Sequence, residues 1–461
     1  MMWKEECGVF GIWNHEEASR LAYLGLYAMQ HRGQESAGIT SVDGSSHLHH
    51  KGLGLVGDVF QEEDLQRLSG RVAMGHVRYS TTGQNLLQNA QPLTANLLSG
   101  PIAVAHNGNI VNTESLKKDL QGKGSIFQGT NDTEILLHLI SRHHSWNVIE
   151  CLKESLSQLV GAYSFVVAAQ GKMIAIRDPH GFRPLILGKK QNDRGEWAQI
   201  IASESCALDL IGAQFVREIE PGEMYWLDEN GEHSDRFAAP VQPSRCIFEH
   251  VYFSRPDSVV FGHSVYDSRK QFGKWLAKET SVDADVVIPV PDGGVPAALG
   301  YSSESKIPFE FGIIRNHYVG RTFIQPQQSI RSFGVKIKLN PQTAVLAGKR
   351  VVVVDDSLVR GTTSQKIIAL VRQAGAKEVH LRIASPPTIG PCYYGVDTAQ
   401  KVQLIAAQQS LEEIRKFVGA DTLAYLSLEG LFAALGEKPE PNKKTFCAAC
   451  FDAQYPTPLN L

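Results

Sequence analysis

The chain has 461 residues, and its 45 Lys and Arg against 48 Asp and Glu give a formal net charge of −3. This balance argues against a polybasic nucleic-acid-binding surface, and a hydrophobic share of 43% excludes wholesale disorder. The sequence has no apolar run near the roughly 18 residues of a membrane span, no secretory signal in residues 1–6 and too few cysteines for a disulfide scaffold, so we expect a cytoplasmic protein.

The first 240 residues are predicted to form an α+β domain, in which helices pack on antiparallel sheets. Short apolar runs separated by Gly and Asn predict strands at 7–13, 37–42, 102–107, 163–169, 173–178 and 223–228. Two helices are predicted at 132–143 and 149–159, because apolar residues recur there at helical spacing. The polar segment 229–245 contains two prolines and is predicted to be a linker.

The pattern changes after residue 245. Continuous apolar runs predict buried strands at 284–290, 309–314, 349–356 and 378–384. Between the last two, Ile367, Leu370 and Val371 lie on one face of a predicted helix that ends at Gly375. Buried strands that alternate with helices are typical of a doubly wound parallel sheet, so we predict an α/β domain. The tail from residue 436 is rich in Pro and Lys and carries a cysteine pair.

Cys7 lies directly before the first predicted strand, and a solitary cysteine beside a strand is most often a small core residue. Four segments change that interpretation, because small and polar residues crowd the strand ends in them. They are QHRGQESAGI (30–39), GHVRYSTTG (75–83), AHNGNI (105–110) and GTNDTE (129–134). Together with Cys7 they resemble the glutamine amidotransferase domain of the N-terminal-nucleophile (class II) hydrolases.

This resemblance implies that residues 1–6 are removed, so that Cys7 becomes the first residue of the mature chain and its nucleophile. A free α-amine has a pKa of about 7.7–8.0 and a thiol one of about 8.5, so the amine can act as the base for its own side chain. The tetrahedral intermediate then needs hydrogen-bond donors for its oxyanion. The family pattern assigns them to Asn107 and to the backbone N–H of Gly108.

Glutamine also carries two charges that a binding site has to match. By the family pattern, Arg78 pairs with the substrate carboxylate and Asp132 with its ammonium group. Three histidines in these segments could suggest a cysteine–histidine pair. Since the amine removes the need for an imidazole base, we interpret these histidines as structural. They are His31, His76 and His106.

Residues 349–375, KRVVVVDDSLVRGTTSQKIIALVRQAG, combine a buried strand, two carboxylates and a helix N-terminus. The free N–H groups of that helix suit a phosphate, whereas the carboxylates suit ribose hydroxyls or Mg²⁺. The alternative is that the acids merely cap the helix. The combination resembles the phosphoribosyl-pyrophosphate (PRPP) loop of type I phosphoribosyltransferases. That resemblance implies that PRPP binds at Asp355, Asp356, Ser357, Arg360, Gly361, Thr362 and Thr363. Asp355 and Asp356 would also hold Mg²⁺.

Two further segments agree with a PRPP site. VVIPVPDGGVPAALGY (286–301) is a strand, a Gly-rich turn and a helix, as expected of a pyrophosphate-binding loop at Asp292, Gly293 and Gly294. Many relatives of that family carry a hydroxyl residue in place of Gly293, so only its backbone could contact Mg²⁺. NHYVGRTFIQP (316–326) is polar, aromatic and Gly-hinged, as a mobile lid over a charged substrate would be.

Cys447 and Cys450 form a C-x₂-C pair whose spacing alone leaves zinc, an iron–sulfur cluster or an unliganded pair open. Cys246 and Cys392 are scattered, and each by itself would be interpreted as a buried thiol. The segments around them, with the tail pair, are similar to the iron–sulfur-containing class of glutamine PRPP amidotransferases. That resemblance implies one 4Fe-4S cluster on these four cysteines, with a structural role because it would join distant segments.

Nearly the whole chain is similar to this family, since both halves and the cysteines occur in one order. The resemblance implies transfer of ammonia from glutamine to PRPP, giving 5-phosphoribosylamine, pyrophosphate and glutamate in the first committed step of purine synthesis. It also implies a homotetramer that is inhibited by purine nucleotides. The expected organisation is a cleaved propeptide at 1–6, an amidotransferase domain at 7–238, a phosphoribosyltransferase domain at 245–435 and a tail at 436–461.

Two other interpretations remain. Glucosamine-6-phosphate synthase and asparagine synthetase share the N-terminal half, but neither would carry VVVVDDSLVRGTT. A noncatalytic, purine-sensing regulator is the alternative from a different class, because phosphoribosyltransferase folds also serve as binding modules. Such a regulator would not need a free N-terminal cysteine, so retention of Met1 would favour it.

Overall fold

The computed structural model describes residues 7–79, 86–143, 145–316, 338–396, 400–437 and 444–459. The predicted leader (1–6) and the predicted lid (316–326), except its first residue, lie outside these ranges. Both therefore stay predictions. None of the helices within the described ranges is both long and apolar enough to cross a membrane.

The first half of the chain alternates strands with a smaller number of helices. Its strands are β1 (Gly8–Trp13), β2 (Ser36–Asp43), β3 (Ser46–Leu53), β4 (Val72–Arg78), β5 (Leu93–Leu97), β6 (Gly100–Ile110), β7 (Gly161–Ala169), β8 (Lys172–Arg177), β9 (Ile186–Gln191), β10 (Trp197–Ala202), β11 (Gln214–Glu218), β12 (Glu223–Asp228) and β13 (Gly231–Arg236). Its helices are α1 (Ala18–Ala28), α2 (Val56–Val59), α3 (Glu62–Arg67), α4 (Thr113–Gly122), α5 (Glu134–Ile140), α6 (Val148–Leu156) and α7 (Cys206–Leu210).

These strands form two antiparallel sheets that pack face to face. One has the order β11-β9-β10-β1-β4-β2-β3 and the other β13-β12-β8-β7-β6-β5. Small and apolar side chains from both sheets, such as Val9, Met74, Ala103 and Val166, fill the space between them. Helices α1 and α7 cover the outer face of the first sheet, and α5 and α6 cover that of the second. The predicted α+β arrangement of sandwiched sheets and helices is confirmed.

Two features of this half differ from the expectation. Helix α1 was not predicted because it carries Gly25, a poor helix former; the glycine is needed there, since an added Cβ would lie 2.3 Å from Cε2 of Phe10. The segment 229–245, predicted as a linker, contains β13, which pairs antiparallel with β12. Alternating polar residues on this exposed edge strand conceal it from a search for apolar runs.

The second half contains strands β14 (Arg245–Cys246), β15 (Val259–Val260), β16 (His263–Ser264), β17 (Val286–Pro289), β18 (Ile313–Arg315), β19 (Leu339–Pro341), β20 (Arg350–Asp355), β21 (Glu378–Ile383), β22 (Thr422–Tyr425) and β23 (Phe446–Cys447). Its helices are α8 (Val265–Glu279), α9 (Val295–Ser305), α10 (Thr343–Leu346), α11 (Thr362–Gln373), α12 (Ile405–Gln408), α13 (Leu411–Val418), α14 (Leu428–Ala434) and α15 (Ala449–Asp452).

The core of this half is a parallel sheet in the order β17-β20-β21-β22. Helices α8 and α9 cover one face and α11 covers the other, which confirms the predicted α/β fold. The strand predicted at 309–314 does not extend this sheet as expected. Phe309 makes a single parallel bridge to Val287, and β18 instead pairs antiparallel with β19. Pro308 lies beside that bridge and has no N–H with which to continue the ladder.

Candidate active sites

The first candidate site lies where β1 begins and β4 ends. Cys7 directly precedes β1, and Arg78 is the last residue of β4. Because Gly8 pairs with Val77, Cys7 and Arg78 come next to each other in the register of the two strands. Both are buried, and Sγ of Cys7 lies 3.5 Å from the carbonyl oxygen of Tyr79. The structure therefore brings the predicted nucleophile and the predicted carboxylate-binding arginine together.

A histidine joins the two sheets at this site. Nε2 of His76, on β4, lies 2.9 Å from the carbonyl oxygen of His106, on β6. Burial lowers the pKa of His76 to about 3, so the ring is neutral and donates its Nε2 proton to that carbonyl. The contact holds β6 against β4 directly before Asn107, which suits a structural role for His76.

The predicted oxyanion residues follow on β6. Asn107 is fully buried, and neither its Nδ2 nor its Oδ1 has a hydrogen-bond partner among the described residues. Leaving such a group unpaired costs about 1–3 kcal/mol unless a ligand completes it. Gly108 comes next with a φ of +142°, and an added Cβ would lie 2.1 Å from the carbonyl oxygen of Ala162. An unpaired amide beside an obligatory glycine is the arrangement that an oxyanion hole requires.

Asp132 approaches the same strand from the segment directly before α5. One carboxylate oxygen accepts a hydrogen bond from the backbone N–H of Ile110 at 2.9 Å, and the other lies 3.6 Å from Nδ1 of His106. Burial by itself would raise the pKa of Asp132, but the nearby His106 and these hydrogen bonds lower it overall. The carboxylate is thus ionised at neutral pH and is able to pair with an ammonium group.

A buried network of charged side chains, which no local sequence pattern reveals, connects Cys7 to the second half. Arg32 donates from Nε to the carbonyl oxygen of Cys7 at 2.9 Å, and from Nη1 and Nη2 to Glu249 at 2.9 and 2.7 Å. Arg32 also donates to Glu204, and Arg183 donates to Glu249 at 3.4 Å. These four charged side chains are 0% exposed. Cys7 is therefore anchored through ion pairs that reach into the second half of the chain.

The second candidate site is a cavity of about 380 Å³ at the carboxyl end of β20. Asp355 is the last residue of this strand, and Gly361, with a φ of +73°, precedes α11. The carboxylates and the N-terminus of α11 therefore face one cavity, as predicted for a sugar phosphate. The predicted residues that line it are Asp292, Gly293, Asp355, Asp356, Ser357, Arg360, Gly361, Thr362 and Thr363.

The two carboxylates are held in an unfavourable environment for charge. Burial raises the pKa of Asp356 to about 6. Burial also raises the pKa of Asp355 well above its ordinary value, and the negative charge of Asp356 raises it further. A cation or a pair of hydroxyl donors would relieve this cost. Gly293 faces them, and an added Cβ would lie 2.0 Å from Oδ2 of Asp356. A side chain at this position would collide with the carboxylate in this structure.

Gly294 does not line the cavity. It precedes α9, and an added Cβ would lie 2.5 Å from the carbonyl oxygen of Val354, which indicates a role in packing the helix on the sheet. Unpredicted residues also form the wall, among them His31, which comes from the first half and lies 2.8 Å from Glu204. The others include Ser254, Arg255 and Arg269.

The four predicted cluster cysteines line a second, small and mostly apolar cavity. Cys246 and Cys447 are opposite each other in the parallel pairing of β14 with β23. Burial raises the pKa of Cys447 to about 12. Burial also raises the pKa of Cys450 well above its ordinary value, and the neighbouring Cys246, Cys447 and Cys392 raise it further. In the described part of the chain no group of three or more His, Cys, Asp or Glu is arranged to hold a single metal ion.

The donor set is nevertheless suited to an iron–sulfur cluster. Four thiols share one cavity, and a cluster of four irons spans more space than a single ion, so its ligands stand further apart than those of one metal. The cost of burying thiolates, seen in the raised pKa values, falls when iron binds them. The residues present therefore fit such a group.

Comparisons with known proteins assign a domain to each half of the chain. Residues 76–209 match the model of a glutamine amidotransferase domain and residues 268–385 that of a phosphoribosyl transferase domain. The Bacillus subtilis amidophosphoribosyltransferase is 49% identical over 99% of this chain and 95% of its own length. Amidophosphoribosyltransferase 2 of Arabidopsis thaliana, a chloroplastic protein, is 53% identical over 98% of this chain and 80% of its own. The chain belongs to the amidophosphoribosyltransferase family.

Solved structures support this membership. The glutamine PRPP amidotransferase from B. subtilis, complexed with ADP and GMP, has a TM-score of 0.92 and 49% identity over 98% of both chains. A structure described as the allosteric regulatory enzyme of purine biosynthesis has a TM-score of 0.93 at the same identity, over 98% of this chain and 97% of the other. An amidophosphoribosyltransferase is an enzyme that combines amidotransferase and phosphoribosyltransferase domains, as the sequence predicted.

Proposed function

We propose that the chain transfers ammonia from glutamine to PRPP, giving 5-phosphoribosylamine, pyrophosphate and glutamate in the first step of purine synthesis. The observation that carries the proposal is the presence of two complementary sites in one chain. One has the buried Cys7 thiol next to Arg78 and, on β6 of the facing sheet, an Asn107 amide without a hydrogen-bond partner among the described residues. The other has two carboxylates facing a helix N-terminus. His31 shows that the two halves meet at the second site, since it belongs to the first half but lines the second cavity.

In the first half-reaction the α-amine of Cys7, freed by removal of the leader, accepts the thiol proton while Sγ attacks the carboxamide carbon. Asn107 Nδ2 and the Gly108 N–H donate to the oxygen that becomes negative. The C–N bond then breaks, the nitrogen takes the proton back and leaves as ammonia, and a γ-glutamyl thioester remains. Water hydrolyses this thioester to glutamate and the free thiol. Arg78 and Asp132 hold the charged end of the substrate.

In the second half-reaction the lone pair of ammonia attacks the anomeric carbon as its bond to pyrophosphate breaks, and the new ammonium group loses a proton. Ammonium has no lone pair, so the ammonia has to reach the cavity away from bulk water. Thr362, Thr363 and the first amides of α11 bind the 5′-phosphate, while Asp355 and Asp356 orient the ribose hydroxyls. Asp355 and Asp356 are also the candidate ligands of Mg²⁺, which when bound neutralises charge on the pyrophosphate.

We further propose that Cys246, Cys392, Cys447 and Cys450 hold one 4Fe-4S cluster with a structural role. The four thiols share a cavity and come from three separate parts of the chain, so a common ligand would cross-link them. The iron atoms of such a cluster would bind the four thiolates, whose negative charges are costly to bury without a metal.

Loss of iron is therefore expected to loosen the protein. Iron-free protein, prepared anaerobically with a chelator, should unfold at a temperature more than about 5 °C lower than the iron-replete protein. Iron counting, the visible absorption spectrum and thermal unfolding check this result. Cys450→Ser should behave like the iron-free protein, whereas Cys151→Ser, which changes a buried cysteine elsewhere, should keep its iron. Equal stability with and without iron would remove the structural role.

Three wider properties belong to the same proposal. A B. subtilis relative was solved in complex with ADP and GMP, which supports nucleotide binding by this chain, and we propose that purine nucleotides inhibit it. We also propose that the chain works in the cytoplasm and assembles as a homotetramer. The noncatalytic regulator has less support, because a regulator has no use for a buried Asn107 that lies on a strand packed against β1 and has no partner among the described residues.

The proposal is tested on protein purified anaerobically with iron. Glutamine, PRPP and Mg²⁺ together should yield pyrophosphate and glutamate in equal amounts, and intact mass should show residues 1–6 removed. Glutamate release without PRPP should be at least about tenfold slower, because an uncoupled glutaminase would waste glutamine. Absence of pyrophosphate release under these conditions would refute the proposed reaction. Full glutaminase turnover without PRPP would refute the coupling alone.

A further inference from the structure

The segment that follows Cys392 packs against the strand that carries the predicted oxyanion donors. Gly395 has a φ of +106°, and an added Cβ would lie 2.9 Å from the carbonyl carbon and 3.0 Å from the Cα of Gly108. Two residues earlier, the carbonyl oxygen of Tyr393 accepts a hydrogen bond from Nδ2 of Asn109 at 2.9 Å. Residues 392–395, here called the buttress, thus contact β6 on both residues 108 and 109.

The buttress is itself held rigidly from the first half. Arg183 donates from Nε and Nη2 to the carbonyl oxygen of Tyr394 at 2.9 and 2.7 Å. The ring of Tyr394 stacks on that of Phe182, with centroids 4.2 Å apart and an angle of 15° between the planes. The carbonyl of Phe182 in turn accepts a hydrogen bond from the N–H of Cys246 at 3.0 Å. The buttress therefore links the oxyanion strand to Cys392, which it contains, and through Phe182 to Cys246.

The position of Gly108 matters more than that of an ordinary core residue. A donor stabilises the tetrahedral oxyanion only within hydrogen-bond distance of where that oxygen will be, and losing one such donor costs about 10²–10³ in rate. Misplacement by about 1 Å can cost about 10². Gly108 has a φ of +142°, which few residues other than glycine adopt, and a glycine backbone changes its orientation easily. Contacts from outside β6 therefore help to hold the Gly108 N–H in one orientation.

We propose that the buttress fixes the backbone N–H of Gly108, so that the cysteine-bearing region positions the oxyanion hole of the glutaminase site. Gly395 and Asn109 are positioning residues in this arrangement, one by close backbone contact and the other by a hydrogen bond. The inference rests on the proposed role of Gly108. It adds that the integrity of the cysteine region acts on glutamine hydrolysis more than on the use of free ammonia.

Gly395→Ala tests the close contact. The added methyl group has no room against Gly108, so kcat for glutamine-dependent synthesis should fall at least about tenfold, with KM for glutamine nearly unchanged because the oxyanion forms only after binding. Synthesis from ammonium chloride should stay within about twofold of wild type. The matched control is Gly231→Ala, which has a similar φ of +115° but no atom of the described residues within 4 Å of the added Cβ. It carries the same backbone strain and should leave both activities unchanged.

Asn109→Ala keeps the test valid if Gly395→Ala does not fold, because it removes a hydrogen bond without adding volume. It should lower the glutamine-dependent kcat in the same direction, retain iron, and increase hydrogen exchange in the peptide that contains residues 103–112. Unchanged glutamine kcat and exchange in Asn109→Ala would overturn the proposal. Equal loss of glutamine- and ammonia-dependent synthesis would also overturn it, since that is general damage. If the wild type hydrolyses no glutamine, the proposed function itself fails.

Discussion

Replacing Cys7 with Ala is expected to abolish glutamine-dependent synthesis of 5-phosphoribosylamine and to spare synthesis from ammonia. The variant lacks the sulfur that attacks the carboxamide, and loss of an attacking side chain costs more than about a thousandfold in rate. The predicted carboxylates and threonines of the PRPP cavity all lie in the second half and are unchanged. Pyrophosphate release, measured with glutamine and then with ammonium chloride at pH above 8, checks both statements.

The control for this variant is Cys206→Ala. Cys206 is also a buried cysteine of the first half, at 2% exposure, and burial raises the pKa of its thiol, so it remains protonated and unreactive. It should keep its glutamine-dependent activity. Retention of that activity in Cys7→Ala would show that another group attacks glutamine, whereas loss of both activities would show that Cys7 is needed for folding or maturation.

The parts of the fold that the sequence predicted are those with strong local signals. The runs of Val at 351–354 and of Val and Ile at 286–288 predicted central parallel strands, because a strand buried on both faces is continuously apolar. Strand β22 (Thr422–Tyr425) could not be predicted, because it is short and mixes polar with apolar residues. It becomes a strand by pairing with β21. Its hydrogen bonds depend on a partner about 40 residues away, which no local pattern contains.

The candidate sites divide in the same way. The site at Asp355 and Asp356 could be predicted because the buried strand, the two carboxylates and the start of the helix follow one another in the sequence. Asn107 required a resemblance, since nothing in its own segment shows that its amide stays unpaired. The ion pairs of Arg32 with Glu204 and Glu249 join residues 172 and 217 positions apart. Such a network depends on how the two halves meet, so only the structure could reveal it.

Glu204 contributes to stability in a defined pH range. Burial by itself would raise the pKa of this carboxyl, but His31 and Arg32 lower it far below its ordinary value of 4.5. A carboxyl whose pKa is depressed on folding stabilises the protein above the ordinary pKa and loses that contribution as the pH falls below it. The network is therefore intact at neutral pH and weakens only in acid.

Arg32→Met is expected to destabilise the protein by about 3–5 kcal/mol, because it leaves Glu204 and Glu249 buried without their shared cation. It also removes the 2.9 Å hydrogen bond to the Cys7 carbonyl, so glutamine-dependent activity should fall even in the protein that folds. The measurements are the midpoint of denaturant-induced unfolding and the activities with glutamine and with ammonia.

The matched control is Arg20→Met, since Arg20 also bridges two carboxylates, Glu17 and Glu62, but on the surface. Exposed ion pairs contribute little, so this variant should unfold at nearly the wild-type midpoint. A second comparison separates charge from packing: Arg32→Met combined with Glu204→Gln should recover part of the lost stability, because one buried carboxylate charge is removed with the cation and Glu249 keeps Arg183 as its partner. If this double variant is no more stable than Arg32→Met, the loss comes from the missing side-chain volume and hydrogen bonds, and the charge argument is wrong.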